Sequence, residues 1–239
     1  MYINKQSPIP LYYQLKQYIL KQIHDRKWKP GDMIPSEREL SEKSKISRMT
    51  VRQALNELVN EGFLYREKGK GTFVSRPKII QNNLSSFTEI IQSQGMNPKT
   101  KLIEFETNFE SKRAAKNLDL SLDKRFYRIK RLRLADDVPI VIEEAYIPVD
   151  YCPGLEEEDL EGSLYKIFEE KYNYQICAID YNIEASTPSN DEKGLLNIKR
   201  NTPVLRIKGI EYTQNDLKLY YIESVYNSRY YIFNVVIIK

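Results

Sequence analysis

The feature that most constrains this chain is the run Ser47-Arg48-Met49-Thr50-Val51-Arg52-Gln53-Ala54-Leu55, with Gly69-Lys70-Gly71-Thr72 a short way beyond it. The hydroxyl of Ser47 can accept from an otherwise unpaired backbone N–H and so start a helix, and Gly62 can end it by adopting positive φ. Between them Val51, Leu55, Leu58 and Val59 recur at helical spacing and define one buried stripe. Arg48, Thr50, Arg52, Gln53 and Asn56 fall on the remaining surface, and these are the side-chain types that reach phosphates and base edges of duplex DNA.

The flanking sequence gives this helix its context. Residues 8 to 27 carry Leu11, Leu15, Tyr18, Ile19 and Ile23 at spacings of three and four, which predicts an amphipathic helix beginning after Pro10. Lys29-Pro30-Gly31-Asp32 breaks it. Ser36-Glu37-Arg38-Glu39 is a reciprocal capping box that starts a second, short helix ending near Ser44-Lys45. Phe63 to Arg66 and Thr72 to Ser75 read as strands around Lys68-Gly69-Lys70-Gly71, whose glycines suit a tight hairpin. Three helices and a hairpin in this order predict a winged helix-turn-helix, the third helix in the major groove and the basic hairpin at the adjacent minor groove.

Charge agrees with that reading. Residues 1 to 78 hold 16 Lys+Arg against 8 Asp+Glu, whereas the remainder holds 21 against 25, so a polyanion-binding front half is joined to a slightly acidic back half. A chain of 239 residues suits two domains. No signal-peptide pattern and no membrane-length apolar run occurs, so a cytoplasmic protein without membrane contact is expected. Cys152 and Cys177 lack any close pairing motif, and His24 is the sole histidine, which excludes a metal site built from several imidazoles. No cofactor is expected.

The segment 77–83 is polar and opens with a proline, and it is expected to be a linker between domains at 1–76 and 84–239. Beyond it, strands are expected at 101–109, 125–134, 138–147, 175–186, 203–214, 217–227 and 230–238, with helices at 85–94, 111–118, 163–172 and 189–196. This pattern predicts an α+β domain, a mostly antiparallel sheet with helices on one side. An internal echo relates Arg128-Ile129-Lys130 and Glu143-Glu144-Ala145-Tyr146 to Arg206-Ile207-Lys208 and Glu223-Ser224-Val225-Tyr226, suggesting two helix-hairpin halves around a shared cavity.

Arg131 and Arg133 break that echo, because their counterparts are Gly209 and Glu211. Two residues apart on a strand, both arginines share a face. They form either an anion site, through bidentate hydrogen bonds, or a solvated strand face. Whether Glu143 joins them depends on the hairpin. A two-residue Asp136-Asp137 turn sends it to the opposite face, and a three-residue Ala135-Asp136-Asp137 loop brings it to the same one.

The motifs of the first 76 residues, Pro35-Ser36-Glu37-Arg38-Glu39-Leu40, Ser47 to Leu55, Glu61-Gly62 and Gly69 to Val74, resemble the amino-terminal domain of GntR-family bacterial transcription regulators. The resemblance implies that Arg38 and Arg48 contact guanines or phosphates, that Thr50 and Arg52 hold the backbone, and that Lys70 and Gly71 probe the minor groove. Met49 either touches a thymine methyl or packs. Residues 84 to 239 resemble the UTRA ligand-binding domain of the HutC subgroup, with a chorismate-lyase-like fold, on Leu84 to Glu89, Arg131 to Asp136, Pro139 to Glu143, Tyr146-Ile147-Pro148, Ser163-Leu164-Tyr165 and Glu223 to Tyr226.

Within that subgroup the chain is most similar to repressors of N-acetylglucosamine use, which implies a small anionic effector such as glucosamine 6-phosphate or N-acetylglucosamine 6-phosphate. On this resemblance Ser86, Thr88, Arg131, Arg133, Ser163 and Tyr165 surround the phosphate, and Glu143, Glu223 and Tyr226 face the sugar hydroxyls or amine. One departure stands near the carboxyl terminus. Related proteins carry Asp-Arg-Tyr shortly after the position of Tyr226, whereas this chain has Asn227-Ser228-Arg229-Tyr230-Tyr231, a shift that turns the arginine to the other face if the segment is a strand. The whole implies a homodimeric regulator on a palindromic operator, with other effectors of the same family, or a back domain that only dimerises, as the alternatives. Catalysis lacks support: no nucleophile motif, metal cluster or Gly-rich phosphate loop occurs, and a lyase-like fold does not confer activity.

Overall fold

A computed structural model describes residues 3–75 and 78–235. The chain divides into two compact units, Met1–Pro77 and Lys78–Lys239.

In the first unit, α1 (Leu11–His24), α2 (Glu37–Ser44) and α3 (Arg48–Asn60) precede the hairpin of β1 (Leu64–Glu67) and β2 (Gly71–Val74). Both arms of the expected capping box on α2 are made, and Ser47 caps α3 by accepting from the N–H of Thr50. The core unites Leu15 and Ile19 of α1, Leu40 of α2, Val51, Ala54, Leu55 and Leu58 of α3, and Leu64 and Val74 of the hairpin. The nearly buried Lys16 ties α1 to α3 through Glu61 at 2.6 Å and Glu57 at 3.4 Å.

The second unit is built on an antiparallel sheet ordered β4-β5-β6-β9-β8-β7. Its strands are β4 (Pro98–Glu110), β5 (Arg125–Ala135), β6 (Val138–Pro148), β7 (Ile176–Ser186), β8 (Val204–Thr213) and β9 (Lys218–Asn227). The helices α4 (Phe87–Ser93), α5 (Lys112–Asn117), α6 (Leu164–Tyr172) and α7 (Asn190–Leu196) complete it. The element order β4-α5-β5-β6 recurs as β7-α7-β8-β9, with β6 beside β9 at the centre, which is the arrangement the internal echo suggested.

Two expectations are corrected here. The helices cover both faces: α6 packs on Tyr127, Ile129 and Ala145, whereas α5 packs on Phe126, Tyr146 and Tyr221. Alternate residues of the central strands are apolar on either side, so both faces need cover. The segment expected as linker also carries structure. Pro77 lies outside the described residues, but Ile79–Gln81 form β3, paired in parallel with β10 (Tyr231–Phe233), and Ile79 is buried. Of the strand expected over 230–238, residues 236–238 likewise lie outside the described residues. Arg229 stands in the turn between β9 and β10, exposed, so its shifted position does not flip it across a strand.

Candidate functional site

In the first unit the candidate residues follow from helix geometry. Arg48 opens α3 and is exposed, and Met49 beside it is 70% exposed, so Met49 does not pack. Arg38 projects from α2 and pairs with Glu42 at 2.9 Å, one turn on. Thr50 is held in the cap, its hydroxyl 2.8 Å from that of Ser47. Lys70 sits at the hairpin tip, paired with Glu67 at 2.9 Å. Gly71 has φ +136°, and a Cβ there would stand 3.1 Å from Met33 Sδ.

Arg52 has a partner that sequence reasoning missed. Its Nη2 and Nε donate to Oε2 of Glu37 at 2.9 and 3.1 Å, and Nη2 of Arg66 on β1 approaches Oε1 of the same carboxylate at 3.4 Å. The hydrogen bond from Arg52 holds Glu37 below the usual carboxylate range. Glu37 therefore orients two guanidiniums, one from the recognition helix and one from the wing.

In the second unit the two arginines are not solvated. Arg131 is 1% exposed and Arg133 3%. Nε and Nη2 of Arg131 both donate to Oε1 of Glu143, and Nη1 donates to the carbonyls of Leu160 and Gly162 at 3.2 and 3.0 Å. Nη2 of Arg133 donates to Thr88 Oγ1 at 3.0 Å, Nη1 reaches Glu143 Oε2 at 3.4 Å, and the guanidinium lies 4.8 Å from the centre of the Phe87 ring. Its Nε has no partner. Burial, with Arg131 alongside, pulls the Arg133 guanidinium down to about 10, so it stays charged at neutral pH. Burial opposes the charge of Glu143, yet Arg131 and Arg133 prevail and hold it below its ordinary value.

Ser86, Arg131, Arg133, Glu143, Ser163, Tyr165 and Tyr226 line one cavity of about 40 Å³, partly open to solvent. Ser86 and Ser163 cap α4 and α6 through their hydroxyls, so both helices begin at the cavity. Free N–H groups and the positive dipole end at a helix start favour an anion. Thr88 belongs to the site through Arg133 rather than by lining it.

Glu223 does not reach the cavity. It lies opposite Glu144 across the β6–β9 ladder and pairs with Arg113 of α5 at 2.7 Å, on the far face of the sheet. The echo matched it to Glu143, but the strand register does not. Gly209 lies opposite Ile222 as its counterpart Arg131 lies opposite Glu143, so Glu223 corresponds to Glu144.

Sequence reasoning missed Glu211, Tyr181 and Tyr220, which also line the cavity. Glu211 is 2% exposed; the hydroxyl of Tyr181 donates to its Oε1, and its Oε2 has no partner. Burial raises its carboxyl above the ordinary value, against the hydroxyls of Tyr165, Tyr181 and Tyr220. A signal was present, because Glu211 is the echo's counterpart of Arg133 and the lone carboxylate of β8.

A winged helix carrying exposed arginines, joined to a separate domain whose cavity is lined by two buried arginines, defines the class of two-domain DNA-binding regulators. Residues 11–74 match the gntR family of bacterial regulatory proteins and residues 93–232 match the UTRA domain, and the chain belongs to the GntR family of transcriptional regulators, which are not enzymes. It is 41% identical over 235 residues to the HTH-type transcriptional repressor NagR of Bacillus subtilis (strain 168), covering 98% of this chain and 97% of that one. It is 31% identical over 210 residues to a probable fructoselysine utilization operon transcriptional repressor of Escherichia coli (strain K12), covering 86% of each. Among solved structures, PhnF from Mycobacterium smegmatis superposes with a TM-score of 0.71 at 28% identity, covering 95% of this chain and 98% of that one. No helix among the described residues is long and apolar enough to cross a membrane.

Proposed function

We propose that this chain is a homodimeric cytoplasmic repressor of genes for amino-sugar uptake or catabolism, and that a small anionic sugar phosphate, glucosamine 6-phosphate or N-acetylglucosamine 6-phosphate, governs its hold on a palindromic operator. The observation that carries the effector reading is the buried guanidinium of Arg133, charged, lining a cavity, with its Nε unpartnered. Leaving a donor in a cavity without a partner costs about 1 to 3 kcal/mol, and an anionic oxygen relieves that cost. In this reading Ser163 and Tyr165 share the same anion and Thr88 orients Arg133, while the Ser86 hydroxyl donates to Glu89 Oε2 at 2.8 Å.

On the DNA, Arg38, Arg48, Thr50, Arg52, Lys70 and Gly71 form the contact set in this reading. Two winged helices of a dimer read half-sites about 34 to 36 Å apart, or a multiple of it, which requires a palindromic operator. An effector that binds one arrangement of the dimer better than another shifts operator affinity, typically by about 5- to 150-fold.

The test is a thermal-shift screen of the full chain against glucosamine 6-phosphate, N-acetylglucosamine 6-phosphate, other sugar phosphates, phosphonates and urocanate, since a ligand bound only by the native state raises its apparent stability. Stabilisation by an amino-sugar phosphate, lost in Arg133→Ala, is the expected result. Stabilisation by another member alone reassigns the effector, and none at all, with operator binding intact, leaves the back domain as a dimerisation module.

A further inference from the structure

Among the side-chain atoms of the cavity-lining residues, two are both buried and without a hydrogen-bond partner, Nε of Arg133 and Oε2 of Glu211. One is a donor on a cation; the other belongs to a carboxyl group. They stand on β5 and β8, the corresponding strands of the two halves, and both side chains are almost wholly buried.

Glu143, expected to face the polar end of a ligand, is already spent. Its Oε1 takes two N–H groups of Arg131 and its Oε2 takes Arg133. A ligand reaching Glu143 would have to displace the arginines from each other's shared counter-charge. Glu223 is on the far face of the sheet. Glu211 is thus the carboxyl group left with an unpartnered oxygen, in a cluster with the hydroxyls of Tyr165 and Tyr220, and Tyr181 fixes its orientation by donating to the other oxygen. The glycine opposite Tyr181 makes room for this: a Cβ at Gly209 would stand 2.0 Å from the Asp180 carbonyl and 2.6 Å from the Tyr181 ring.

We propose that Glu211 is the specificity-determining residue of the cavity, accepting a hydrogen bond from an amine or hydroxyl of a ligand whose anionic group sits at Arg133. This rests on the effector reading above and adds the second requirement that a ligand must meet, a donor as well as an anion. Buried polar groups built for a partner discriminate strongly against analogues that lack it, because the protein group is then left unpaired.

The experiment is calorimetric titration of the full chain, wild type, Glu211→Gln and Glu211→Leu, with glucosamine 6-phosphate and with inorganic phosphate, and in parallel with 2-aminoethylphosphonate and ethylphosphonate. The members of the first pair differ by the whole sugar, and those of the second, which share a phosphonate, differ by the amine alone. The quantity read is the affinity ratio within a pair, which partial unfolding of a variant does not change. A wild-type preference for the donor-bearing member that falls at least about tenfold in Glu211→Leu, with a smaller fall in Glu211→Gln because its amide oxygen still accepts, is expected. A wild-type preference retained in both variants overturns the role of Glu211 while leaving the sugar-phosphate reading standing. A preference for 2-aminoethylphosphonate that depends on Glu211, with glucosamine 6-phosphate not bound, upholds Glu211 and overturns the sugar-phosphate reading. Equal wild-type affinity within both pairs overturns the requirement for a donor.

Discussion

Glu143 lies directly across the β5–β6 ladder from Arg131, and one extra residue on β6 puts it there. The hairpin turn is Asp136-Asp137, both at positive φ, with Ala135 opposite Val138, and such a turn alone would send Glu143 to the far face. Between the pairs Leu134–Pro139 and Arg133–Val141 the register shifts by one, leaving Ile140 unopposed. A bulge of this kind re-aims every side chain beyond it. The short-turn and longer-loop alternatives are therefore both superseded: the turn has two residues, and the bulge supplies the third.

Removing Glu143 strands two buried guanidiniums, which sets the size of the effect. Glu143→Ala is expected to destabilise the second unit by about 3 to 5 kcal/mol, the usual cost of breaking a buried pair from one side. Denaturant unfolding followed by the signal of the second unit measures it. A loss below about 1 kcal/mol would mean that water already solvates the arginines.

Glu143 and Glu211 give opposite pH signatures. Glu143 has its carboxyl lowered from 4.5 by Arg131 and Arg133, against burial, so the stability it confers is present above that value and is lost as pH falls. Burial raises Glu211 above 4.5, so its contribution is complete below that value and is lost as pH rises through the raised one. Glu211→Gln should therefore gain melting temperature relative to wild type as pH is taken upward from about 4.5. A difference between the two proteins that does not vary with pH would show that Glu211 titrates alike folded and unfolded.

Gly209 is a steric requirement rather than a flexible point. Its Cβ position is filled by the Asp180 carbonyl and the Tyr181 ring, so Gly209→Ala must push β7 outward. An overpacked site costs about 1 to 3 kcal/mol, and the displaced Tyr181 loses its bond to Glu211. The variant should unfold earlier and bind effector more weakly. An unshifted melting temperature would show that β7 yields freely.

Much of this was legible in the sequence, for reasons that differ by element. The capping box at Ser36 and the lone cap at Ser47 are local, so α2 and α3 begin where the sequence places them. Alternation or apolar runs placed the six long strands, because the four central ones have buried sides and the edge strands β4 and β7 have half-buried residues. The bulge at Ile140 has no local signature, since Ile140, Val141 and Ile142 are all buried and register depends on the pairing partner. The same limit misplaced Glu223, whose match to Glu143 followed sequence order while the ladder matched it to Glu144. β3 was hidden because it is three residues long and pairs with a strand at the other end of the domain.

Glu37 separates orientation from charge at the DNA-facing surface. Its carboxylate fixes Arg52 and approaches Arg66, yet it is itself an anion among groups proposed to meet phosphates. Glu37→Gln should tighten binding to random duplex, because a counter-charge is removed, and lower the ratio of specific to non-specific affinity, because Arg52 is no longer aimed. Competition assays with operator and random DNA read both. A preserved ratio would make Glu37 a mere charge.

Arg48 and Lys70 should fail in different ways, because a base contact and a phosphate contact obey different laws. Arg48, exposed at the start of α3, is the residue proposed to read base edges, and Arg48→Ala should cost about 1 to 3 kcal/mol on operator and much less on random duplex. Lys70, exposed at the wing tip and paired with Glu67, is the residue proposed to neutralise a phosphate. Each neutralised phosphate contributes about 0.9 to the slope of log affinity against log salt. Lys70→Ala should therefore weaken operator and random duplex alike and reduce that slope by nearly one unit per wing. The measurement is a salt titration of both variants on both duplexes. A slope unchanged in Lys70→Ala would remove the wing tip from the phosphate contacts, and equal losses on both duplexes in Arg48→Ala would make Arg48 a phosphate ligand instead.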